Sequence, residues 1–438
     1  MPLAAETRRQ KFSSLALAAA ACVVGLLLGE LGLRLMGFTY VSFYYPDPVL
    51  GWVFRAGAQG THTQEGNAAV KINRYGFRDH EWEVEKPAGH FRVAVLGDSY
   101  VAAMQVPAER RFTSVLEAEL GHCGALAGRR PEVLDFGVGG WGTGQELLCL
   151  RDRVWQFDPD FIVLAFFHGN DVGNNSNELG PTELQPYFSL REGTLVLDDS
   201  FRNHPRFRRE SSWWMQLLRS AVACSRTAQL LARAMDVRTQ QNQRGARGWR
   251  SDRGAAVEHD ATAAPQQERG LPPQVYFEPN TPAWERAWLL TEALLVETAA
   301  EARRHDTAFS LLLVTSSNQV RPGSAEAAHA MGLEDLLYPN RRLVELGRRH
   351  GFPVLSLAES LLAKAVSDGS ELHGFEGTAG GHWNTLGHRA AGELLATEVC
   401  GQLDRSEASL DSCGAGCSAG APEPADDRLG VAGSGQHD

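Results

Sequence analysis

The seven cysteines of the chain include no C-x-x-C pair, and the CGAGC of Cys413 to Cys417 lies in a tail of small residues unable to build a tetrahedral site, so no metal is expected. G-x-S-x-G is also missing, which speaks against the nucleophile elbow of the α/β-hydrolases. There is no internal repeat, so a solenoid is not indicated. Positive charge is short as well: the net charge of −11 repels nucleic acid and anionic surfaces, and no nucleic-acid partner is expected. What remains is an ordinary globular composition, 438 residues with 43% hydrophobic and 22% charged, enough for one large domain or two modest ones.

One apolar run is long. Phe12 to Gly29 holds 18 residues without a charge, about 27 Å as a helix, which nearly matches a hydrocarbon core. Arg8, Arg9 and Lys11 precede it and favour a cytoplasmic N-terminus. A cleaved signal peptide and a lipoprotein signal ending at Cys22 are the rivals. Against them, apolar residues continue through Leu31, Leu33, Leu35 and Met36, Glu30 and Arg34 stand at i, i+4, and Val-Val-Gly-Leu follows Cys22. The expectation is an uncleaved single-pass anchor over 1–38 in an inner membrane, with the rest facing the periplasm or exterior. Six cysteines could pair in such an oxidising compartment, but their connectivity is not legible.

A lead segment, 39–89, contains INRYGFRD with turn signals at Gly76 and Asp79. Short runs of Val, Ile, Leu and Phe then alternate with helical patterns. FRVAVL (91–96), EVLDF (132–136), FIVLAFF (161–167), FSLLLVT (309–315) and FPVLSL (352–357) suit strands buried on both faces. RRFTSVLEAEL, WERAWLLTEALLVETAAEARR and RRLVELGRR suit helices between them, so an α/β domain with a parallel sheet is expected over 90–400.

Residues of about 200–280 interrupt the rhythm. Arg202 to Arg253 carry twelve arginines, no lysine, and only Glu210, Asp236 and Asp252 in opposition. Within this insertion SSWWMQLLRSAVACSRTAQLLARAM predicts an amphipathic helix capped by Ser211 or Ser212. It is either a lid or surface helix on the membrane, a dock for an anionic substrate, or a helix packed on the body within a solvated insertion. The stretch from Arg238 to Gly270 reads as a disordered connector, and 401–438 as a disordered tail.

Chemistry gathers where the apolar runs end. The first runs into Gly97-Asp98-Ser99, which places a hydroxyl and its own N–H at a helix start, suitable for a nucleophile and an oxyanion donor. The second ends in DFGVGGWGTG, whose Gly137, Gly139 and Gly142 also satisfy G-x-G-x-x-G; a dinucleotide site fits less well, because a strand and helix precede it and no acid follows at the next strand end. No cofactor is expected. The third delivers His168-Gly169-Asn170-Asp171. Near the C-terminus AGGHWNTLGH brings His382 and His388 with no carboxylate close by; His388 reads as structural in a helix capped by Asn384. A metal site of His373, His382 and His388 would need a further ligand.

In combination these residues resemble the SGNH or GDSL hydrolases, of a membrane-anchored bacterial type. VAVLGDSYV is similar to the family's first block, DFGVGGWGTG to the second, GND to the third and HWNTLGH to the last, in the family's order. The resemblance covers most of 40–200 and 284–400. It implies a three-layer α/β/α sandwich, flavodoxin-like, around a central parallel sheet. It also implies Ser99 as nucleophile, His382 as general base, and Gly140 and Asn170 as oxyanion donors beside the Ser99 N–H. The chain departs from the family in two places. Gly380 and Ala379 stand where the family has its acid, leaving Glu376, a backbone carbonyl or water to orient His382, and Asp135 stands where relatives often carry asparagine. The expected activity is hydrolysis of an acyl ester, with O-acetyl groups on a cell-surface glycan as a substrate. Acyl transfer to a polysaccharide hydroxyl and a catalytically silent glycan-binding or assembly protein are the alternatives.

Overall fold

The computed structural model of the chain describes residues 3–63, 65–235, 271–375 and 378–414. Its centre is a sheet of five parallel strands, β1 (His90–Gly97), β2 (Arg130–Gly137), β3 (Phe161–Phe166), β4 (Ala308–Leu313) and β5 (Val354–Ser356). These are the five apolar runs. Their order across the sheet is β5-β4-β3-β1-β2, with every neighbouring pair parallel. That is the doubly wound 2-1-3-4-5 order, in which ligands collect beyond the carboxyl ends of β1 and β3, where the winding reverses.

Strand periodicity sends alternate residues to opposite faces. Val93, Val95, Val133 and Val163 face helices α1 (Phe112–Leu120), α5 (Ala358–Asp368) and α6 (Thr385–Gly414). Ala94, Leu96, Leu134 and Ile162 face α2 (Thr143–Cys149), α3 (Pro282–Arg304) and α4 (Tyr338–His350). Both faces are covered, so the architecture is the expected three-layer α/β/α sandwich. Among the described residues one helix, within Leu3–Leu35, is long and apolar enough over Ala16–Leu35 to cross a membrane, as a signal sequence also can be.

The lead is part of the second layer. Its hairpins pair Tyr44–Asp47 with Gly51–Phe54 and Gln59–His62 with Ala68–Lys71. The NRYGFRD stretch explains itself in contacts. Asn73 Oδ1 accepts from the Tyr75 and Phe77 N–H groups at 3.0 Å, closing a turn that needs Gly76 at φ +84°. Phe77 and Trp82 are fully buried against Phe136, and truncation of such an aromatic costs about 3–5 kcal/mol. Asp79 accepts from Arg111 Nη2 (2.7 Å), Trp82 Nε1 (3.0 Å) and the Asp135 N–H (3.1 Å).

Two expectations change. The insertion helix is not continuous: it runs Trp213–Cys224, breaks at Ser225, whose extended backbone (ψ 120°) cannot continue a helix, and resumes over 226–235. Ser212 precedes it without a side-chain capping bond. The tail is ordered further than 401, because α6 continues to Gly414; Cys400 in this helix forms a disulfide with Cys123 at the end of α1. The connector and the tail beyond 414 lie outside the described residues.

Candidate active site

Ser99 opens a one-turn helix, Ser99–Ala102, directly after β1. Asp98 caps it, accepting from the Tyr100 N–H at 2.9 Å. Ala103 ends it in the left-handed region, at φ 45°, and the Arg78 guanidinium of the lead donates to the carbonyls of Ala102, Ala103 and Val106. The turn is thus clamped at both ends, which fixes where the serine hydroxyl points.

The second glycine-rich loop passes close to this turn. A Cβ on Gly137 would lie 2.4 Å from the Ala102 nitrogen, and one on Gly139 would lie 2.6 Å from the Tyr44 hydroxyl and 3.7 Å from Ser99 Cβ. The glycines of the G-x-G-x-x-G spacing therefore permit chain-on-chain approach beside Ser99. Gly140 follows at φ +83°, and its carbonyl accepts from Asn174 Nδ2 at 3.0 Å. Among the described residues neither the Ser99 nor the Gly140 N–H has a hydrogen-bond partner. Asn170, in the loop that follows β3, donates from Nδ2 to Asp98 Oδ2 at 2.7 Å, so its amide lies next to the Ser99 turn. Burial pushes the Asp98 carboxyl up, against the bonds it accepts from Tyr100 and Asn170. Asp135 accepts from Arg111 (2.9 Å), Thr113 (3.3 Å) and the Gly137 N–H (3.0 Å). Burial and the neighbouring Asp79 push its carboxyl up, against the Arg111 charge and the Gly137 N–H that favour the ionised form.

His382 stands in the second strand of the hairpin of His373–Phe375 and Thr378–Trp383, one residue before its end. Its Nε2 lies 2.8 Å from Ser99 Oγ, and its ring packs against Tyr100, tilted by 46° with centroids 4.8 Å apart. The acid beside it is Glu65. Oε2 lies 2.5 Å from His382 Nδ1 and Oε1 accepts from the His382 backbone N–H at 2.8 Å. The expected orienting acid, Glu376, lies outside the described residues, and the ring nitrogen it would have served is engaged by Glu65. Two glycines make the approach possible: a Cβ on Gly381 would stand 2.2 Å from Glu65 Oε1, and one on Gly66 would stand 2.3 Å from the Gln105 carbonyl.

Partial burial raises the Glu65 pKa, but the hydrogen bonds and charge of His382 outweigh it and hold the carboxyl below its ordinary range. An ionised carboxylate only accepts, so the proton of the ring sits on Nδ1 and Nε2 offers its lone pair to the Ser99 hydroxyl. His388 is fully buried, accepting from the Phe112 N–H at 3.3 Å, and Asn384 caps α6 by accepting from the Leu386 and Gly387 N–H groups, as expected. His168 is buried at the rim. Among the described residues no group of three or more His, Cys, Asp or Glu could hold a metal ion.

Sequence reasoning missed Glu65. Its only signal is a glutamate preceding a glycine in the lead, 34 positions before Ser99, and nothing local ties it to a histidine 317 positions downstream.

No family model matches the chain, and neither does any curated protein. Solved structures similar to it include an acetyl xylan esterase, AlAXEase, at 12% identity and a TM-score of 0.36, covering 70% of this chain and 100% of that one. A catalytic mutant of an acetylxylan esterase from Geobacillus stearothermophilus matches at 8% and 0.36, covering 72% and 96%. A member of the lipolytic protein G-D-S-L family from Veillonella parvula matches at 11% and 0.33, covering 70% and 97%. At these values the likeness does not extend to chemistry, which rests on the residues of this chain.

Proposed function

We propose that the chain is a serine ester hydrolase of the SGNH type, with Ser99 as nucleophile, His382 as general base and Glu65 as the acid that orients it. The observation that carries this reading is the unbroken relay from Ser99 Oγ through His382 to Glu65, at 2.8 and 2.5 Å. Ser99 Oγ attacks the acyl carbonyl while its proton passes to His382 Nε2, and the Glu65 carboxylate stabilises the imidazolium. The oxyanion is met by the Ser99 N–H, the Gly140 N–H and the Asn170 amide. The C–O bond to the alcohol breaks as His382 returns the proton, leaving an acyl-serine. Water, deprotonated by the same imidazole, releases the acid and restores Ser99.

The substrate class we assign is an acyl ester on the outward side of a membrane, with O-acetylated glycan the first to test. The apolar N-terminal helix and the Cys123–Cys400 disulfide support that compartment, since disulfides persist where the surroundings are oxidising. Acyl transfer uses the same serine with a sugar hydroxyl in place of water. A catalytically silent role drew its support from a missing acid, and Glu65 removes that support.

The full chain in detergent, treated with a fluorophosphonate, tests the reading. Modification at Ser99 is expected, absent in Ser99→Ala and strongly reduced in His382→Ala. Equal background turnover of short chromogenic acetyl and butyryl esters by wild type and Ser99→Ala overturns it. Released acetate against newly acylated glycan separates hydrolysis from transfer.

A further inference from the structure

Resting on the reading of the N-terminal helix as a membrane anchor, we propose that the two insertion helices, Trp213–Cys224 and 226–235, lie in the headgroup layer of the same bilayer, apolar stripes toward the acyl chains. No residue of Trp213–Cys224 is buried. Trp213 (73% exposed), Trp214 (46%), Leu217 (61%) and Leu218 (52%) form i, i+4 pairs on one side of that helix, and Leu231 and Met235 repeat the pattern in the next. Arg219 stands on the opposite side, donating to the Glu210 carbonyl at 3.2 Å and lying over the Tyr45 ring of the lead. The body therefore partly covers the side that carries Met215, Arg219 and Val222, and the side that carries Trp213, Trp214, Leu217 and Leu218 faces away from it.

The occupant follows from where the helix pair is attached. The turn between the two helices closes around Glu30, whose carboxylate accepts from Ser225 Oγ (3.1 Å), the Arg226 N–H (3.0 Å), the Thr227 N–H (2.9 Å) and Thr227 Oγ1 (3.0 Å). Arg34 donates to the Cys224 carbonyl at 2.9 Å, Gln229 accepts from the Tyr40 N–H at 2.9 Å, and Arg233 lies over Phe38. Glu30 is the first charge after the uncharged run that ends at Gly29. A run of that length fills the hydrocarbon core, so Glu30 marks its edge and the turn around it sits at that depth. Two amphipathic helices leaving that point have the interface beside them. Tryptophans belong at this depth, and Arg208, Arg209 and Arg226, which flank the first of these helices in the chain, favour anionic headgroups.

Brominated acyl chains quench tryptophans in contact with them and supply the test, because the N-terminal helix contains no tryptophan. The full chain is reconstituted into phosphatidylcholine–phosphatidylglycerol vesicles with and without brominated chains. Wild type is expected to lose emission on bromination, and Trp213→Phe/Trp214→Phe to lose almost none while floating with the vesicles equally well. Glu30→Ala, which releases the turn, is expected to reduce the quenching at unchanged flotation and unchanged turnover of a soluble ester. Wild-type emission indifferent to bromination, or quenching that survives in the double variant, overturns the proposal. Loss of wild-type flotation overturns the anchor and this proposal together, whereas failed fluorophosphonate labelling would leave both standing.

Discussion

Glu65 grips His382 twice, at the ring through one carboxylate oxygen and at the backbone through the other. The second bond fixes the acid relative to the chain that carries the imidazole, so ring orientation does not depend on one contact. Glu65→Gln is expected to lower kcat by about 10²–10⁴, as loss of the acid's function does in serine hydrolases, while leaving Ser99 open to slow fluorophosphonate modification. Glu376→Gln should stay near wild type. Steady-state kinetics on a short ester checks both.

Asn170→Ala removes one of three donors assigned to the oxyanion. Its expected cost is about 10²–10³ in kcat with little change in KM, since the bond strengthens only as charge develops. A rise in KM at unchanged kcat would mark Asn170 as a substrate contact instead.

The disulfide joins positions 277 apart and staples α6 to the end of α1. Cys400→Ser, or reduction of wild type, is expected to cost about 2–5 kcal/mol of stability. Thermal melts with and without reductant check it, and the reductant should leave Cys400→Ser unchanged.

His80 sits 3.2 Å from the buried Asp79 carboxylate, and that hydrogen bond, against partial burial, raises its pKa above 6.5. A raised histidine gives stability that is full below its unfolded value of about 6.5 and fades as pH rises through the folded value. The ring is half exposed, so the effect is small. An NMR titration of His80 should show a midpoint above 6.5 in wild type that returns toward 6.5 in Asp79→Asn.

The sheet was legible because each of its strands is a short apolar run buried on both faces, and such runs announce themselves without reference to the rest of the chain. Ser99, Gly140 and Asn170 drew attention for a related reason, each standing just past the end of such a run within a short recognisable string, and His382 through a string of its own in the C-terminal hairpin. Glu65 has no such string. It reaches His382 because Gly66 and Gly381 let two loops approach, and glycine's tolerance of close contact does not say which loop will come near. The break at Ser225 was hidden likewise, since the carboxylate that meets the free N–H groups there comes from Glu30, far away in the chain.

The placement of the acid also bears on how fragments of this chain would be judged. A polypeptide starting at His90 would keep all five strands and each of the four family blocks, and a search by those blocks would score it as whole. It would nonetheless carry a two-membered relay. A cut that removes the apolar N-terminal helix and runs on past Glu65 removes the proposed acid with it, so a shortened chain that keeps the proposed relay has to begin before the first lead hairpin, not after the last.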